Sequence, residues 1–432
     1  MLRGAIAALA LGSILAPGLT TSVKASLSDS PKAVVDEVWQ IVNDEFVDKS
    51  FNQINWQRTR EELLSRNYTS DKEAYRAIRQ ALKQLGDPYT RFLPPNEYEV
   101  LTSQTSGEVS GIGIRMGIEP HTNDLLIIEP LKGSPAFKAG LKPGDRIVKI
   151  DGKPTSLMTA DQASEAITGE EGTQISLQIA RQGNKVFEIN LTRAQIEVPS
   201  VSYSLKQEGT IQVGYIKLDE FSSHAAEQMK SAIEELKNKQ ASGFVLDLRG
   251  NPGGLLFASV DIARMWMEQG MIVHTVDRKG GDRAFHANGT ALTDYPMVVL
   301  VDQNSASASE ILAAALKDNR RATLVGTQTF GKGTVQSVHN LADGSGVAVT
   351  IARYFPPSGA NINKKGVAPD IRLDLTEEQG LRLQNDPSLF ATKDDPQYEK
   401  AVAILKNTAL SPSPLGRAVR RSEKSPQSVS LR

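Results

Sequence analysis

Asp302-Gln303-Asn304-Ser305-Ala306-Ser307-Ala308-Ser309-Glu310 is the stretch on which the reading of this chain turns. An apolar segment, Met297 to Val301, runs into it, and Ile311 to Leu316, rich in Ala and Leu, runs out of it. The first reads as a strand and the second as a helix. A strand, a tight turn of small residues and a helix start together aim a serine out of the backbone at a helix N-terminus. Free N–H groups and the helix dipole favour developing negative charge there, which suits a nucleophile. The same spacing, Ser307-x-x-Glu310, also fits a capping box. Taken alone, these residues leave Ser307 as either nucleophile or N-cap.

Downstream, Phe330-Gly331-Lys332-Gly333 opens a β-like run, Thr334-Val335-Gln336-Ser337-Val338. The glycines on either side let the Lys332 side chain enter a crowded site. A lysine serves as a base only when neutral, which requires burial or positive surroundings. Ser–Lys pairs are a known variant of serine nucleophile activation. Gln336, four residues on, shares a strand face with Lys332, and its amide can orient an amine without adding charge. An exposed hairpin lysine is the competing reading. Of the five histidines, His121, His224, His274, His286 and His339, none lies in a setting that announces a triad.

Upstream, Phe244 to Leu248 reads as a buried strand ending in Arg249-Gly250-Asn251-Pro252-Gly253-Gly254, with a helical stretch through Met267. This glycine-rich turn lacks the Lys-Ser/Thr of a P-loop and the spacing of a dinucleotide fingerprint. Bare N–H groups in such a turn suit an oxyanion hole instead.

Farther out the chain changes character twice. Residues 31–46, 56–64 and 72–85 carry apolar side chains at helical spacing, and Gly86-Asp87-Pro88 breaks that pattern. From about Thr105, short strands and glycine turns take over: Gly111-Ile112-Gly113-Ile114, Leu125 to Ile128, Ile147 to Ile150, and Ile175 to Ala180 paired with Val186 to Leu191. Ser134-Pro135-Ala136-Phe137-Lys138-Ala139-Gly140-Leu141, Pro143-Gly144-Asp145-Arg146-Ile147 and Asp151-Gly152 fall between them in order. This segment resembles a PDZ domain. The resemblance implies that a substrate C-terminus adds as a strand at Gly111, Ile112, Gly113 and Ile114, beside a helix over Ala160 to Ile167.

At the front, Arg3 and the apolar run Ala5 to Leu15 read as a signal segment too short to span a bilayer, with Val23-Lys24-Ala25 at the cleavage position. An uncleaved anchor is the alternative. The expected location is therefore exported: periplasm or thylakoid lumen. Basic and acidic residues nearly cancel, 49 against 50, so no global field points to nucleic acid or membrane. There are no cysteines, which excludes disulfides and thiol chemistry. No metal or cofactor is expected. Residues 411–432, rich in Ser, Pro and Arg, read as a disordered tail after one more helix over 397–407.

Asp247-Leu248-Arg249 with Pro252-Gly253-Gly254, the serine-rich turn, and Thr329-Phe330-Gly331-Lys332-Gly333-Thr334-Val335-Gln336 resemble the carboxyl-terminal processing peptidases, tail-specific serine proteases. Glu37-Val38-Trp39-Gln40-Ile41-Val42 and Asp87-Pro88-Tyr89-Thr90-Arg91 are similar to the cyanobacterial and chloroplast members. The resemblance implies an α/β, crotonase-like catalytic core with a PDZ domain ahead of it and an N-terminal helical cap. It assigns Ser307 as nucleophile, Lys332 as general base, Gln336 as the residue that positions the lysine, and the N–H groups of Gly253 and Ala308 as the oxyanion hole. Asp318 matches an acidic position and reads as structural support. Some such members trim the C-terminal extension of a photosystem II reaction-centre precursor. The expected divisions are 1–25 signal, 26–104 helical, 105–193 PDZ, 194–375 catalytic and 376–432 helix and tail. The expected activity is a Ser–Lys endopeptidase acting through an acyl-enzyme on proteins with free apolar C-termini. The competing classes are a catalytically silent peptide-binding protein of the same fold and an acyl-CoA enzyme, which should lack the PDZ segment.

Overall fold

The computed structural model describes residues 30–119, 122–181 and 185–409. The signal segment, His121, the turn at 182–184 and the tail from 411 lie outside the described residues. The chain divides into two compact units: residues up to Tyr98 with Gln336–Ile351, and Glu99–Val335 with Ala352 onward.

In the first unit the predicted helices appear at Pro31–Glu45, Trp56–Ser65 and Asp71–Gln84. Ser30 caps the first, accepting from Lys32 N, and Pro31 takes the position where a missing N–H is harmless. Val34, Val35, Val38, Trp39 and Val42 line one face and pack with Trp56, Ile78, Leu82 and Phe92. The stacked indoles of Trp39 and Trp56 each donate to the other's carbonyl, at 2.8 and 3.3 Å, so two buried N–H groups are satisfied reciprocally. Leu341, Val347 and Val349 complete this core. Residues 336–351, expected within the catalytic segment, place their apolar side chains in this helical unit.

The second unit holds two sheets of different kinds. The strands Ile114–Ile118, Leu125–Pro130, Arg146–Ile150, Gln174–Arg181 and Lys185–Thr192 make an antiparallel sheet, with Ile114–Ile118 at one edge. Ile175, Leu177 and Ile179 are buried, and the residues between them turn outward, the period of a half-covered sheet. The helix Ala160–Ile167 closes it, held by a capping box from Thr159 to Gln162. A two-stranded ribbon, Glu108–Gly111 against Ala194–Glu197, leads the chain in and out.

The other sheet runs in the order Val201–Glu208, Ile211–Leu218, Gly243–Asp247, Met297–Val301, Thr323–Gly326, Ile371–Arg372; after the first antiparallel pair every contact is parallel. Its central strands read as continuous apolar runs because both faces are covered. Phe244, Leu246, Val299 and Val301 pack on one side with the helices Ala225–Asn238, Leu256–Trp266 and Ala308–Asp318. Val245, Val298 and Leu300 pack on the other with Tyr398, Ala401, Val402 and Leu405 of the helix Pro396–Ala409. A hairpin, Met271–Asp277 with Asp282–His286, pairs with Ala352–Phe355 and carries Tyr354 toward the carboxyl ends of these strands.

Candidate active site

The strand Met297–Val301 ends in a turn that is held from below. Asp302 Oδ1 accepts from the N–H groups of Gly250, Asn304 and Ser305, each at 3.0 Å. Ser305 Oγ donates to Leu248 O (2.8 Å), Ser309 Oγ donates to Asn251 O (3.0 Å), and both serines are fully buried. Ser307 differs: it is half-buried and stands at φ 53°, ψ −112°, a backbone conformation that side-chain-bearing residues rarely adopt. The helix Ala308–Asp318 starts immediately after it, with Ser307 as N-cap. The two sequence readings are thus compatible, since the cap is also the one serine of the three left accessible.

Glu310 is where the sequence reading fell short. Within the capping box its Oε2 accepts from Ser307 N at 2.9 Å. The same oxygen accepts from Lys332 N at 2.8 Å, while Oε1 accepts from Gly331 N (2.8 Å) and Thr329 Oγ1 (2.5 Å). This carboxylate is wholly buried, and every one of these contacts is a donor, as a buried acceptor requires. The backbones of Ser307 and Lys332, 25 residues apart in sequence, therefore meet on one oxygen atom. Tyr354 closes the other side, its hydroxyl donating to the carbonyls of Ser307 (3.1 Å) and Lys332. Gly331 must be glycine: φ is +94°, and a Cβ there would lie 2.8 Å from Lys365 N.

The loop after Asp247 approaches from a third direction. A Cβ on Gly253 would stand 2.9 Å from both Ser307 Cβ and Ala308 N, so the loop's backbone lies directly against the turn. Ala308 is the first residue of its helix, and its N–H has no intrahelical acceptor. Gly253 N donates to Asn251 Oδ1 at 2.8 Å. The Gly253 carbonyl accepts from Phe221 N and the Phe221 carbonyl from Leu255 N, both at 2.8 Å.

Below the loop, Arg249 is clamped between Asp247 and Asp395, with Tyr215 donating to Asp247 Oδ2 at 2.8 Å. Burial works to raise the Asp247 carboxyl, but the Arg249 charge and hydrogen bonds outweigh it and hold the group below the usual carboxylate range. Burial, joined by the Asp247 charge, pushes the Tyr215 phenol up.

Ser307, Ala308, Gly253 and Lys332 are thus brought together. Gln336 lies in the first unit, where it donates to Thr350 Oγ1 at 3.2 Å. Asp318 is exposed and accepts from Ser358 N at 3.0 Å, a tie on a neighbouring loop. Among the described residues no histidine bonds to Ser307; His224, His274 and His339 instead hold Glu108, Asp282 and Glu45. In the antiparallel sheet, Gly111 ends the ribbon, Gly113 has φ +72° and Ile114 opens the edge strand. Ile112 points into the core with no exposure, and its carbonyl accepts from Ala136 N at 3.0 Å.

A serine at a strand–turn–helix elbow, the Lys332 backbone bonded to the carboxylate that also holds the Ser307 backbone, and an antiparallel sheet with an open edge strand frame a PDZ-bearing serine peptidase. The comparisons agree: residues 212–373 match peptidase family S41, and residues 126–181 match the PDZ domain. The carboxyl-terminal-processing protease of Synechocystis sp. is 45% identical over 399 residues, covering 92% of this chain and 91% of that one. The chloroplastic carboxyl-terminal-processing peptidase 2 of Arabidopsis thaliana is 38% identical over 382 residues, covering 84% and 74%. A solved photosystem II D1 C-terminal processing protease is 36% identical with a TM-score of 0.53, covering 85% of this chain and 99% of that one. The chain belongs to the carboxyl-terminal-processing proteases of family S41.

Proposed function

We propose that this chain is a Ser–Lys endopeptidase that captures protein C-termini on its PDZ domain and cleaves upstream of them. The observation that carries the reading is the single Glu310 oxygen shared by the backbones of Ser307 and Lys332. The shared oxygen fixes the two backbones side by side; that residue 332 is a lysine comes from the sequence.

In this mechanism Lys332 Nζ takes the Ser307 hydroxyl proton as Oγ attacks the scissile carbonyl. The resulting oxyanion accepts from the N–H groups of Ala308 and Gly253. Collapse expels the amine, which takes the proton back from Lys332, and leaves an ester on Ser307. Water, deprotonated by Lys332, then hydrolyses that ester. Gly253 N is held by Asn251 in the structure, so the second donor becomes available only when that bond yields. Gln336 is the residue the family pattern assigns to orient the lysine. The crotonase-like core, the helical cap and the export address go with this reading. The similarity to a photosystem II D1 processing protease makes trimming of that precursor the substrate to test first. The edge strand and the helix Ala160–Ile167 suit a free carboxylate followed by apolar terminal residues.

The test is to incubate the purified protein with unstructured proteins bearing apolar C-termini and map products by mass spectrometry. New C-termini that vanish in Ser307→Ala support the reading. Tail binding without cleavage favours the silent peptide-binding protein.

A further inference from the structure

The family match ends at residue 373, and the chemistry above uses nothing beyond it. Yet a cluster of buried charges joins the catalytic loop to a segment further on. The Arg249 guanidinium uses every donor it has. Nε bonds Asp247 at 2.9 Å, and one terminal nitrogen bonds Asp247 and Asp395 at 2.6 and 2.7 Å. The other bonds Asp395 at 2.9 Å and Gln397 Oε1 at 3.0 Å. Its face lies 4.9 Å over the ring of Phe390. Asp247 and Asp395 are fully inaccessible, and Arg249 is 6% exposed.

Asp395 is itself immobilised. Its carboxylate accepts from Tyr398 N and Ala391 N at 3.2 and 3.3 Å, at the start of the helix that covers the second face of the parallel sheet. Gln397 is anchored by its amide donating to Leu373 O at 2.8 Å. Two residues after Arg249 comes Asn251, whose carbonyl accepts from Ala306 N and Ser309 Oγ on either side of Ser307, and whose side chain holds Gly253 N. Whatever fixes Arg249 therefore fixes the loop that braces the serine turn and from which Asn251 must release the Gly253 N–H.

We propose that Asp395, with Gln397, is a positioning residue for catalysis, acting through Arg249 on the Asn251–Gly253 loop. The segment from Phe390 to Tyr398 is on this view part of the active site's foundation, although it makes no contact with the serine. A buried carboxylate facing a buried guanidinium contributes little net stability compared with an apolar filling, but it fixes orientation through its paired geometry. Removing one partner of such a pair also weakens the fold, so the effect on the chemical step is read per folded molecule, with Asp395→Asn and the milder Gln397→Ala side by side. The inference rests on the Ser307 reading for its chemistry but makes a separate measurement.

The experiment compares full-length wild type, Asp395→Asn, Gln397→Ala and Ser307→Ala. Asn puts an amide donor opposite the guanidinium donors. For each variant one measures kcat and KM on a tailed substrate, the dissociation constant of a C-terminal peptide, the thermal midpoint, and the rate of serine labelling by a fluorophosphonate. Asp395→Asn should lower kcat and labelling by about tenfold to a hundredfold, the scale of a misplaced catalytic group. KM and peptide affinity should stay unchanged. Gln397→Ala, which folds more safely, should move the same two quantities in the same direction by a smaller factor. A folded Asp395→Asn with wild-type kcat and labelling overturns the proposal. So does a loss that only tracks the folded fraction and lowers peptide binding equally. If Asp395→Asn does not fold, unchanged kcat in Gln397→Ala overturns it instead. Turnover surviving in Ser307→Ala would defeat the reading of the nucleophile, a different result from a dead Ser307→Ala beside a fully active Asp395→Asn.

Discussion

At the scale of single residues, three serines compete and the environment separates them. Ser305 and Ser309 are buried and give their hydroxyls to the loop at 248–251, leaving Ser307 accessible. Ser307→Ala is expected to abolish cleavage while leaving the affinity for a tail peptide unchanged, as measured by product mapping and fluorescence anisotropy. Turnover lost in Ser305→Ala but kept in Ser307→Ala would identify another nucleophile. Lys332→Arg keeps the charge but removes the base, because a guanidinium stays protonated. It should be as inactive as Lys332→Ala, and the wild-type rate should climb with pH as the lysine loses its proton. Glu310→Gln turns an amide donor toward the donors now served by a carboxylate oxygen. A stability loss of about 1–3 kcal/mol in urea titration, with loss of activity, is expected for leaving such buried groups unpaired. The sequence displayed the serine and the lysine through small flanking residues. It did not display Glu310's second role, because a capping box is a local signal and Thr329, Gly331 and Lys332 lie a loop away.

At the scale of elements, local pattern predicted well wherever one face is buried. The strand pairing of 175–180 with 186–191 falls where alternation puts it, and the helix Ala160–Ile167 where the PDZ resemblance puts it. The helix Pro95–Ser106 escaped notice because it buries no side chain, so it has no apolar stripe to read. The edge strand Ile114–Ile118 leads to a prediction on recognition. On the proposed mode of recognition, amidating a substrate's C-terminus would remove charge-assisted hydrogen bonds to the Gly111–Ile114 backbone. Binding should weaken by about 1.5–3 kcal/mol, and cleavage well upstream should slow with it. Equal cleavage of acid and amide forms would mean this domain does not read chain ends. The same sheet has a built-in acid limit. Burial works to raise the Asp145 carboxyl, but Arg181 at 2.6 Å and the Lys142 N–H hold it below the usual carboxylate range. A depressed carboxyl contributes stability that is complete above the unfolded value of about 3.9 and is lost as pH falls through the folded one. Acid titration of Arg181→Gln should show unfolding beginning at higher pH than in wild type. Coincident curves would leave the pair without effect.

At the scale of the whole molecule, the sequence pattern foresaw which kinds of layer would form but not which distant segments would complete them. Residues 336–351 fall within the expected catalytic division, yet Leu341, Val347 and Val349 finish the core of the N-terminal helices. The helix Pro396–Ala409 falls where one is expected over 397–407. That it covers one whole face of the parallel sheet was not legible, because an all-apolar strand such as Met297–Val301 says that both sides are covered without saying by what.

The backbone at Ser307 has a further consequence, for how this protein trades endurance against activity. A Cβ at φ 53°, ψ −112° is held there against its own preference, and glycine alone would sit there without protest. Ser307→Gly should therefore be more resistant to urea than either wild type or Ser307→Ala, by about 1 kcal/mol on the scale of such strain. The alanine variant keeps the Cβ and should show no such gain; equal midpoints for the two would mean the turn is relaxed. If the difference appears, selection for robustness alone would drive this position toward glycine and extinguish the enzyme. The serine then persists only because cleavage is needed.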